Sequence, residues 1–236
     1  MKKILTTAIL LGLTATAVNA TTLNLRHEYI ASEGDMDARH RDRLAISHGF
    51  DNGIGLSAEV KWGYGDDSFD LSKLKDVGHE TKVSYNYKVT DSFTLQPAYA
   101  IDASSSAATH KFDLRGTQKI TSDWNVALRY RYGYKNNAAN SESSHYNQLN
   151  LTSGYKMGDF GFGIDIEGKF EQSDSKGYKG DNNYLNLVNF SGEYSGFEHG
   201  WRPFGEIGMV AQNTDNARDG KDSYEPRFRV GVKYSF

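Results

Sequence analysis

The sequence predicts an all-β protein: a transmembrane, antiparallel, up-and-down β-barrel with twelve strands. Three observations lead to this prediction: segments with an apolar residue at every second position, connections that alternate between short and long, and an export signal. An apolar period of two is typical of a strand whose two faces meet different surroundings. Short turns at one end and long loops at the other are typical of barrels in bacterial outer membranes.

The final ten residues, Arg227 to Phe236, form the clearest predicted strand. Even positions carry Phe, Val, Val, Tyr and Phe, whereas odd positions carry Arg, Arg, Gly, Lys and Ser. Because successive side chains of a strand point to opposite faces, one face is apolar and the other is cationic. A soluble sheet can contain one such strand, so the barrel prediction depends on the recurrence of the pattern.

The first twenty residues have the form of a cleaved signal peptide. Lys2 and Lys3 precede an apolar stretch over 4–13, and small residues surround Ala20. The stretch is shorter than the ~20 apolar residues that a membrane-spanning helix needs. We therefore expect residues 21–236 to form a single barrel domain that is exported to the outer membrane of a Gram-negative bacterium.

Eleven further segments alternate in the same way. In chain order they are 23–29, 44–46, 54–62, 83–89, 93–101, 112–114, 124–134, 149–155, 160–166, 184–194 and 203–209. The pattern over 149–155 is weak. The pattern over 184–194 is ambiguous, because Leu185 and Leu187 have the opposite parity to Val188 and Phe190. Ten or fourteen strands therefore stay open as alternatives.

The connections predict which end of each strand carries a tight turn. Short turns are expected at 51–53, 90–92, 121–123 and 157–159, which contain residues suited to turns such as Asp, Asn and Gly. Longer polar stretches lie near 31–40, 63–78, 102–110, 135–146, 171–183 and 211–224.

In hydrocarbon every backbone N–H and C=O needs a partner, so the strands are expected to close into a barrel. A soluble sandwich is the alternative.

Aromatic composition is consistent with a barrel that spans a membrane. The chain has 15 Tyr and 3 Trp, and Tyr and Trp are enriched in girdles at both membrane interfaces. Ordinary strands are also rich in Tyr, so this observation is supporting only.

The parity opposite to the apolar residues predicts a cationic lumen. A Lys or Arg on the lipid face near the bilayer midplane costs about 2–4 kcal/mol, so these residues are expected to face inward. The proposed binding residues of this basic track are Arg26, Arg41, Arg43, Lys61, Lys82, Lys111, Arg115, Arg129, Arg131, Lys169, Arg227, Arg229 and Lys233. Lys156 has the same parity. Carboxylates of this parity are fewer, namely Glu28, Glu59, Glu80, Asp113, Asp165, Glu167 and Glu206.

A narrow channel lined by one sign of charge concentrates the opposite ions. Rings of Arg and Lys select anions, and the planar guanidinium of Arg matches carboxylates bidentately. The predicted lumen therefore favours a carboxylate-rich permeant. The alternative is that lumen charges pair with one another and merely fill a barrel that conducts nothing.

Four segments resemble the KdgM family of oligogalacturonate-specific monomeric porins. They are Arg26-His27-Glu28-Tyr29, the run from Asp42 to Gly55, Arg129-Tyr130-Arg131-Tyr132, and the final ten residues. The resemblance implies a twelve-stranded outer-membrane barrel with lumen tracks of Arg and Lys that passes acidic oligosaccharides from pectin. Relatives in the family take sialic acid or alginate oligomers, and the loops of this chain do not match recognisably, so the sugar stays open.

The expected partners follow from this reading. They are an acidic oligosaccharide permeant, the lipid of the outer membrane and, by resemblance to the class, the barrel assembly machinery acting on Phe236. The family implies a monomer. We expect no nucleic acid and no cofactor.

Other candidate sites are weak. Gly53-Ile54-Gly55-Leu56-Ser57-Ala58 resembles a dinucleotide fingerprint but continues as a strand and not as a helix. The 7 His show no paired metal spacing and there is no Cys, so no metal site is expected. Paired loop carboxylates at 35 and 37 or 66 and 67 lack the spacing of a calcium loop.

A hydrolase is the remaining alternative. Ser144 and His145 are consecutive, so in a strand they point to opposite faces and cannot form the hydrogen bond that activates a nucleophile. We therefore expect no catalytic residues.

Overall fold

The computed structural model describes residues 21–31, 39–64, 71–137, 143–171, 182–212 and 223–236. The proposed signal peptide, 1–20, lies outside the described residues. So do much of five predicted loops and the loop carboxylates at 35, 37, 66 and 67.

Twelve strands account for most of the described chain, which confirms the preferred strand count over ten or fourteen. They are β1 (Thr22–Ile30), β2 (Arg39–Gly49), β3 (Ile54–Tyr64), β4 (Leu74–Tyr85), β5 (Phe93–Ala103), β6 (Ala107–Lys119), β7 (Trp124–Asn137), β8 (Ser144–Met157), β9 (Phe160–Glu171), β10 (Asn183–Tyr194), β11 (Trp201–Gln212) and β12 (Ser223–Ser235). After Asn86, β4 resumes as Tyr87–Lys88, and both parts pair with β5. The described ranges contain no helix long and apolar enough to cross a membrane.

The sheet closes on itself. Each strand pairs antiparallel with its chain neighbours, and β1 pairs with β12 from Thr22↔Ser235 to Ile30↔Arg227. Beyond these pairs, Thr21 and Phe236 exchange two backbone hydrogen bonds, of 2.9 and 3.0 Å. The backbone ladder therefore has no free edge, as a barrel in hydrocarbon requires, and the sandwich alternative is wrong.

The four predicted short turns all lie where expected. Gly53 and Gly158 have φ values of 89° and 57°, in the left-handed region that favours glycine in tight turns. A fifth connection, 195–200, contains a short 3₁₀ turn at Glu198–Gly200. These five connections, together with Thr21 and Phe236, mark one rim of the barrel, called the turn end here; the opposite rim is the loop end.

The prediction of a long loop near 102–110 is wrong. β5 continues to Ala103 and β6 begins at Ala107, so only residues 104–106 connect them. The Ser104 amide donates to the Ala107 carbonyl over 2.9 Å and closes the turn. The error has a physical cause. Small residues such as Ala and Ser can pair in a β-sheet through their backbones, but they do not give the apolar alternation by which a strand is recognised in the sequence.

The ambiguous segment in β10 contains a β-bulge. The register with β9 shifts by one residue, since Glu167 pairs with Leu187 whereas Gly168 pairs with Leu185. An extra residue reverses the side-chain parity along a strand. Leu185 is therefore exposed and Leu187 is buried, which explains why the parity of the apolar residues changes within this strand.

The apolar side chains point outward. Leu128 and Val230, for example, are 53% and 62% exposed, the reverse of a soluble protein, in which such residues form the core. We call this outward parity the apolar face and the opposite parity the charged face. Aromatic rings lie close together near the turn end of the apolar face. The ring centroids of Trp201 and Tyr234 are 4.6 Å apart, and those of Tyr234 and Phe236 are 5.6 Å apart.

Candidate functional site

The charged face holds all thirteen cations of the predicted basic track. Several of their contacts skip a strand: Lys61 Nζ on β3 lies 3.1 Å from Asp102 on β5, and Arg115 on β6 donates to Thr152 on β8 over 3.1 Å. Side chains on the concave side of a closed sheet converge, which lets residues two strands apart meet. These contacts are those expected of the inner side of the barrel.

A cluster at the junction of the first and last strands has Arg229 at its centre. The Arg229 guanidinium contacts Glu28 at 2.6 Å and Glu206 at 3.0 Å. Asn189 donates to Glu206 over 3.0 Å and accepts from Arg227 over 3.4 Å. We call these five residues the seam cluster, because they connect β1 to β10, β11 and β12 where the barrel closes.

A second strong pair lies on the far side of the barrel. Arg131 binds Asp113 through two hydrogen bonds of 2.6 and 2.8 Å, the bidentate geometry that favours guanidinium over ammonium. Arg129, two residues earlier on β7, has only a 3.5 Å contact with Glu167. The two arginines of this motif therefore differ in how fully a carboxylate neutralises them.

Three carboxylates form a row across β3, β4 and β5, since Glu59 pairs in register with Glu80 and Glu80 with Asp102. Lys111 Nζ lies 2.7 Å from Glu80 and 2.8 Å from Asp102, and Lys61 Nζ lies 3.3 Å from Glu59. We call Glu59, Glu80 and Asp102 the carboxylate row.

The remaining paired cations lie on the edges of these groups. Arg43 contacts Glu59 of the carboxylate row at 3.3 Å. Lys169 contacts Glu171 at 2.5 Å and lies 4.7 Å above the Tyr146 ring. Lys233 contacts Glu193 at 2.5 Å near the turn end.

Sequence reasoning missed four carboxylates and several cations that belong to the charged face. Asp102 and Glu171 had been placed at the starts of predicted loops, and Glu193 lies in the ambiguous strand. Glu225 lies near the start of β12, before the alternating segment, and Arg202 precedes the apolar positions recognised in β11. Lys119 and Lys135 share the parity of Arg115 and Arg131 and were also missed, so the additional carboxylates are offset by additional cations. Apart from Glu193, these residues lie in parts of strands that extend beyond the apolar pattern.

Within the described residues, five cations of the basic track have no carboxylate at ion-pair distance. Arg115 and Arg227 bond only to neutral groups. The other three are Arg26, Arg41 and Lys82. In addition, the Nε atoms of Arg26, Arg43, Arg129 and Arg227 are buried without a hydrogen-bond partner. The five cations without a carboxylate keep a charge that a bound anion could neutralise, and Arg227, at 7% exposure, is the least accessible of them.

The other candidate sites do not assemble. Gly53 to Ala58 forms a turn followed by β3, with no helix for a phosphate. The His145 ring centroid lies 6.2 Å from that of Tyr132 on the apolar face, and Ser144, its neighbour in β8, points to the opposite face, so the two form no nucleophilic pair. Among the described side chains, no three His, Cys, Asp or Glu are arranged to hold a metal ion.

Comparison with known proteins reveals relatives over nearly the whole chain. Residues 14–236 match the family model described as oligogalacturonate-specific porin protein (KdgM). The oligogalacturonate-specific porin KdgM of Dickeya dadantii (strain 3937) is 32% identical over 245 residues, which cover 99% of both chains.

Solved structures agree with the sequence comparison. A KdgM porin in complex with disordered oligogalacturonate has 30% identity and a TM-score of 0.63, over 91% of this chain and 99% of that one. A NanC porin structure has 19% identity and a TM-score of 0.74, over 91% of this chain and 100% of that one. The NanC likeness supports the barrel fold alone.

Proposed function

Because the chain belongs to the KdgM family of oligogalacturonate-specific porins, we propose that its charged face lines a bore through which acidic, uronate-rich oligosaccharides such as oligogalacturonate enter passively. The protein is an outer-membrane channel and not an enzyme. The solved KdgM relative, with oligogalacturonate in its complex, supports this class of permeant.

The observation that carries the proposal is the position of the cations without carboxylate partners. Arg26, Arg41 and Arg227 lie on β1, β2 and β12. Lys82 lies on β4 and Arg115 on β6. In a barrel of twelve sequential strands, β6 is diametrically opposed to β12, and β4 lies a quarter turn from β1. The three arginines therefore form one track at the seam, and Lys82 with Arg115 forms a second track that reaches the facing wall.

Facing cationic tracks suit a linear polyanion. Each guanidinium can bind a uronate carboxylate bidentately, and an ammonium can bind it as a point charge. Transport requires several weak sites in series, strong enough to admit the solute and weak enough to release it. No single cation of the tracks is therefore expected to be indispensable.

The paired charges have a different role in this proposal. The carboxylate row and the seam cluster hold Lys61, Lys111 and Arg229 against the wall. Charges neutralised in this way contribute little to the attraction of anions, and removing one partner of such a pair leaves the other buried and unpaired. In this proposal, some lumen charges fill the barrel, as the alternative holds for all of them, and the cations of the two tracks serve the permeant.

Channel recordings test the proposal. In planar bilayers, trigalacturonate should block the current of the purified protein, whereas a neutral maltotriose should not. Removing one cation from each track, in Arg26→Gln/Arg115→Gln, should lower the anion-to-cation permeability ratio and weaken the block. Lys88→Gln is the matched control, because Lys88 pairs with Asp91 on an exposed turn.

Two outcomes would contradict the proposal: equal effects of charged and neutral trisaccharides, or an unchanged permeability ratio in the double variant. Mannuronate, guluronate and sialate oligomers in the same recordings would identify which acidic sugar the bore prefers.

We further propose that the protein is exported through cleavage of residues 1–20, that the barrel assembly machinery recognises the segment ending at Phe236, and that the barrel works as a monomer. Mass spectrometry of the protein from outer membranes would identify its first residue, which is expected to be Thr21.

A further inference from the structure

A third charged group lies on the charged face near the turn end. Glu193 on β10 contacts Lys233 at 2.5 Å and Arg202 at 3.5 Å. Arg202 and Lys233 are direct cross-strand partners on β11 and β12. We call Glu193, Arg202 and Lys233 the exit cluster, because the turn end is the periplasmic side in bacterial barrels of this class.

The exit cluster is more accessible than the pairs in the middle of the barrel. The Glu193 side chain is 24% exposed, whereas Asp113, which binds Arg131, is 5% exposed. A permeating anion can therefore reach the two cations, and Glu193 competes with it for them.

Glu193 is not needed to hold these cations in place. Arg202 donates to the Ser235 hydroxyl over 2.6 Å, which in turn bonds to Thr22 over 2.9 Å. Lys233 Nζ lies 5.2 Å above the Phe204 ring. Each cation thus has a second anchor, so removing the Glu193 carboxylate leaves the site built but more positive by one charge.

Glu193 is also the one acid that the strands themselves place beside the path near this rim. Taking the two charged-face residues nearest the turn end in each described strand, Glu193 is the one carboxylate among them. The other acids described at this end, Asp51, Asp91, Asp123 and Asp159, lie in the exposed connections beyond the strands.

We propose that Glu193 sets the rate at which an acidic oligosaccharide leaves the bore at the turn end. With the carboxylate present, the exit cluster carries one net positive charge and forms a weak last site. Without it, the cluster carries two and retains the anion longer. This inference rests on the proposed function and adds to it the step that limits release.

The expected size follows from Coulomb's law in water. A unit charge about 5 Å from a uronate carboxylate changes its binding about fourfold at a dielectric constant of about 80. At 0.1 M salt the Debye length of about 10 Å screens part of this interaction and reduces the factor to roughly two.

The experiment compares Glu193→Gln with the wild-type channel in planar bilayers. At 0.1 M salt we expect trigalacturonate blocks to last about twofold longer, and the anion-to-cation permeability ratio in potassium chloride to rise. Glu198→Gln is the control, since Glu198 is 92% exposed on the turn outside the bore, and it should change neither value. Lys233→Gln should shorten the blocks by a similar factor.

If the wild-type channel is anion-selective and blocked by trigalacturonate, the proposed function stands. Unchanged block durations in both Glu193→Gln and Lys233→Gln would then overturn this inference alone. A wild-type channel that is neither anion-selective nor blocked would overturn the proposed function, and the inference with it. The potassium chloride measurement separates the two cases because it involves no sugar.

Discussion

Replacing Arg229 with Gln should destabilise the barrel far more than replacing Arg26 with Gln, although both arginines lie on the charged face beside the seam between β1 and β12. Arg229 contacts Glu28 and Glu206 at 2.6 and 3.0 Å. Arg26 has no carboxylate at ion-pair distance in the described structure, and the like charges of Arg229 and Arg43 surround it together with the two glutamates.

The magnitude follows from what each substitution leaves behind. Without Arg229, Glu28 stays buried and Glu206 keeps only its bond to Asn189. Removing one partner of a buried ion pair typically costs about 3–5 kcal/mol. The nearby charge of Arg26 compensates in part, so we expect a loss of about 3 kcal/mol. Replacing Arg26 relieves repulsion as well as removing attraction, and should change the free energy of unfolding by less than about 1 kcal/mol.

Equilibrium unfolding in urea, followed by tryptophan fluorescence in lipid vesicles, measures both values. A double variant, Glu28→Gln/Arg229→Gln, tests the cause, because removing both partners should recover about 1–3 kcal/mol relative to the sum of the single losses. The reasoning is refuted if Arg229→Gln lies within about 1 kcal/mol of the wild type, or if Arg26→Gln is equally destabilising.

Two further predictions concern the faces and the seam. The chain contains no Cys, so a fluorophore can be attached at a single site in Leu128→Cys or Arg129→Cys. Quenchers carried by the lipid should quench the fluorophore at position 128 but not at position 129. Quenching at position 129 would contradict an aqueous bore. Gly231→Ala should cost about 1–3 kcal/mol, because a Cβ there would lie 2.5 Å from the Leu25 carbonyl oxygen across the seam. Gly192→Ala, with nothing within 4 Å of the added carbon, is its control, and equal unfolding midpoints would show that the seam tolerates the methyl group.

Much of the fold was predictable because the residue pattern of a membrane-barrel strand depends on that strand alone. The alternation within 124–134 or 227–236 requires only the chain's own pleat, and the turns at Gly53 and Gly158 require only their own backbone. The errors have local causes too. Small residues around Ser104 concealed the ends of two strands, and an extra residue near Asn186 reversed the parity of β10.

From the sequence, the site was predictable only as the set of charged residues that share one face of the sheet. Period-two alternation assigns Arg115, Arg129 and Arg131 to one face but cannot tell which of them a carboxylate neutralises. That depends on contacts between strands: Arg131 meets Asp113 on the neighbouring strand, and Arg115 reaches only Thr152 two strands away.

By itself, then, the sequence determined which residues face which side, because side-chain direction is set residue by residue along a strand. The tertiary structure alone decided which cations keep donors for an anion. Closure brings Glu28 to Arg229 across 201 positions of sequence, and contacts between strands place Asp102 beside Lys61 and Lys111. Ion pairing falls off with distance in space and not along the chain, so only the closed barrel separates charges that hold the wall from charges that can bind a solute.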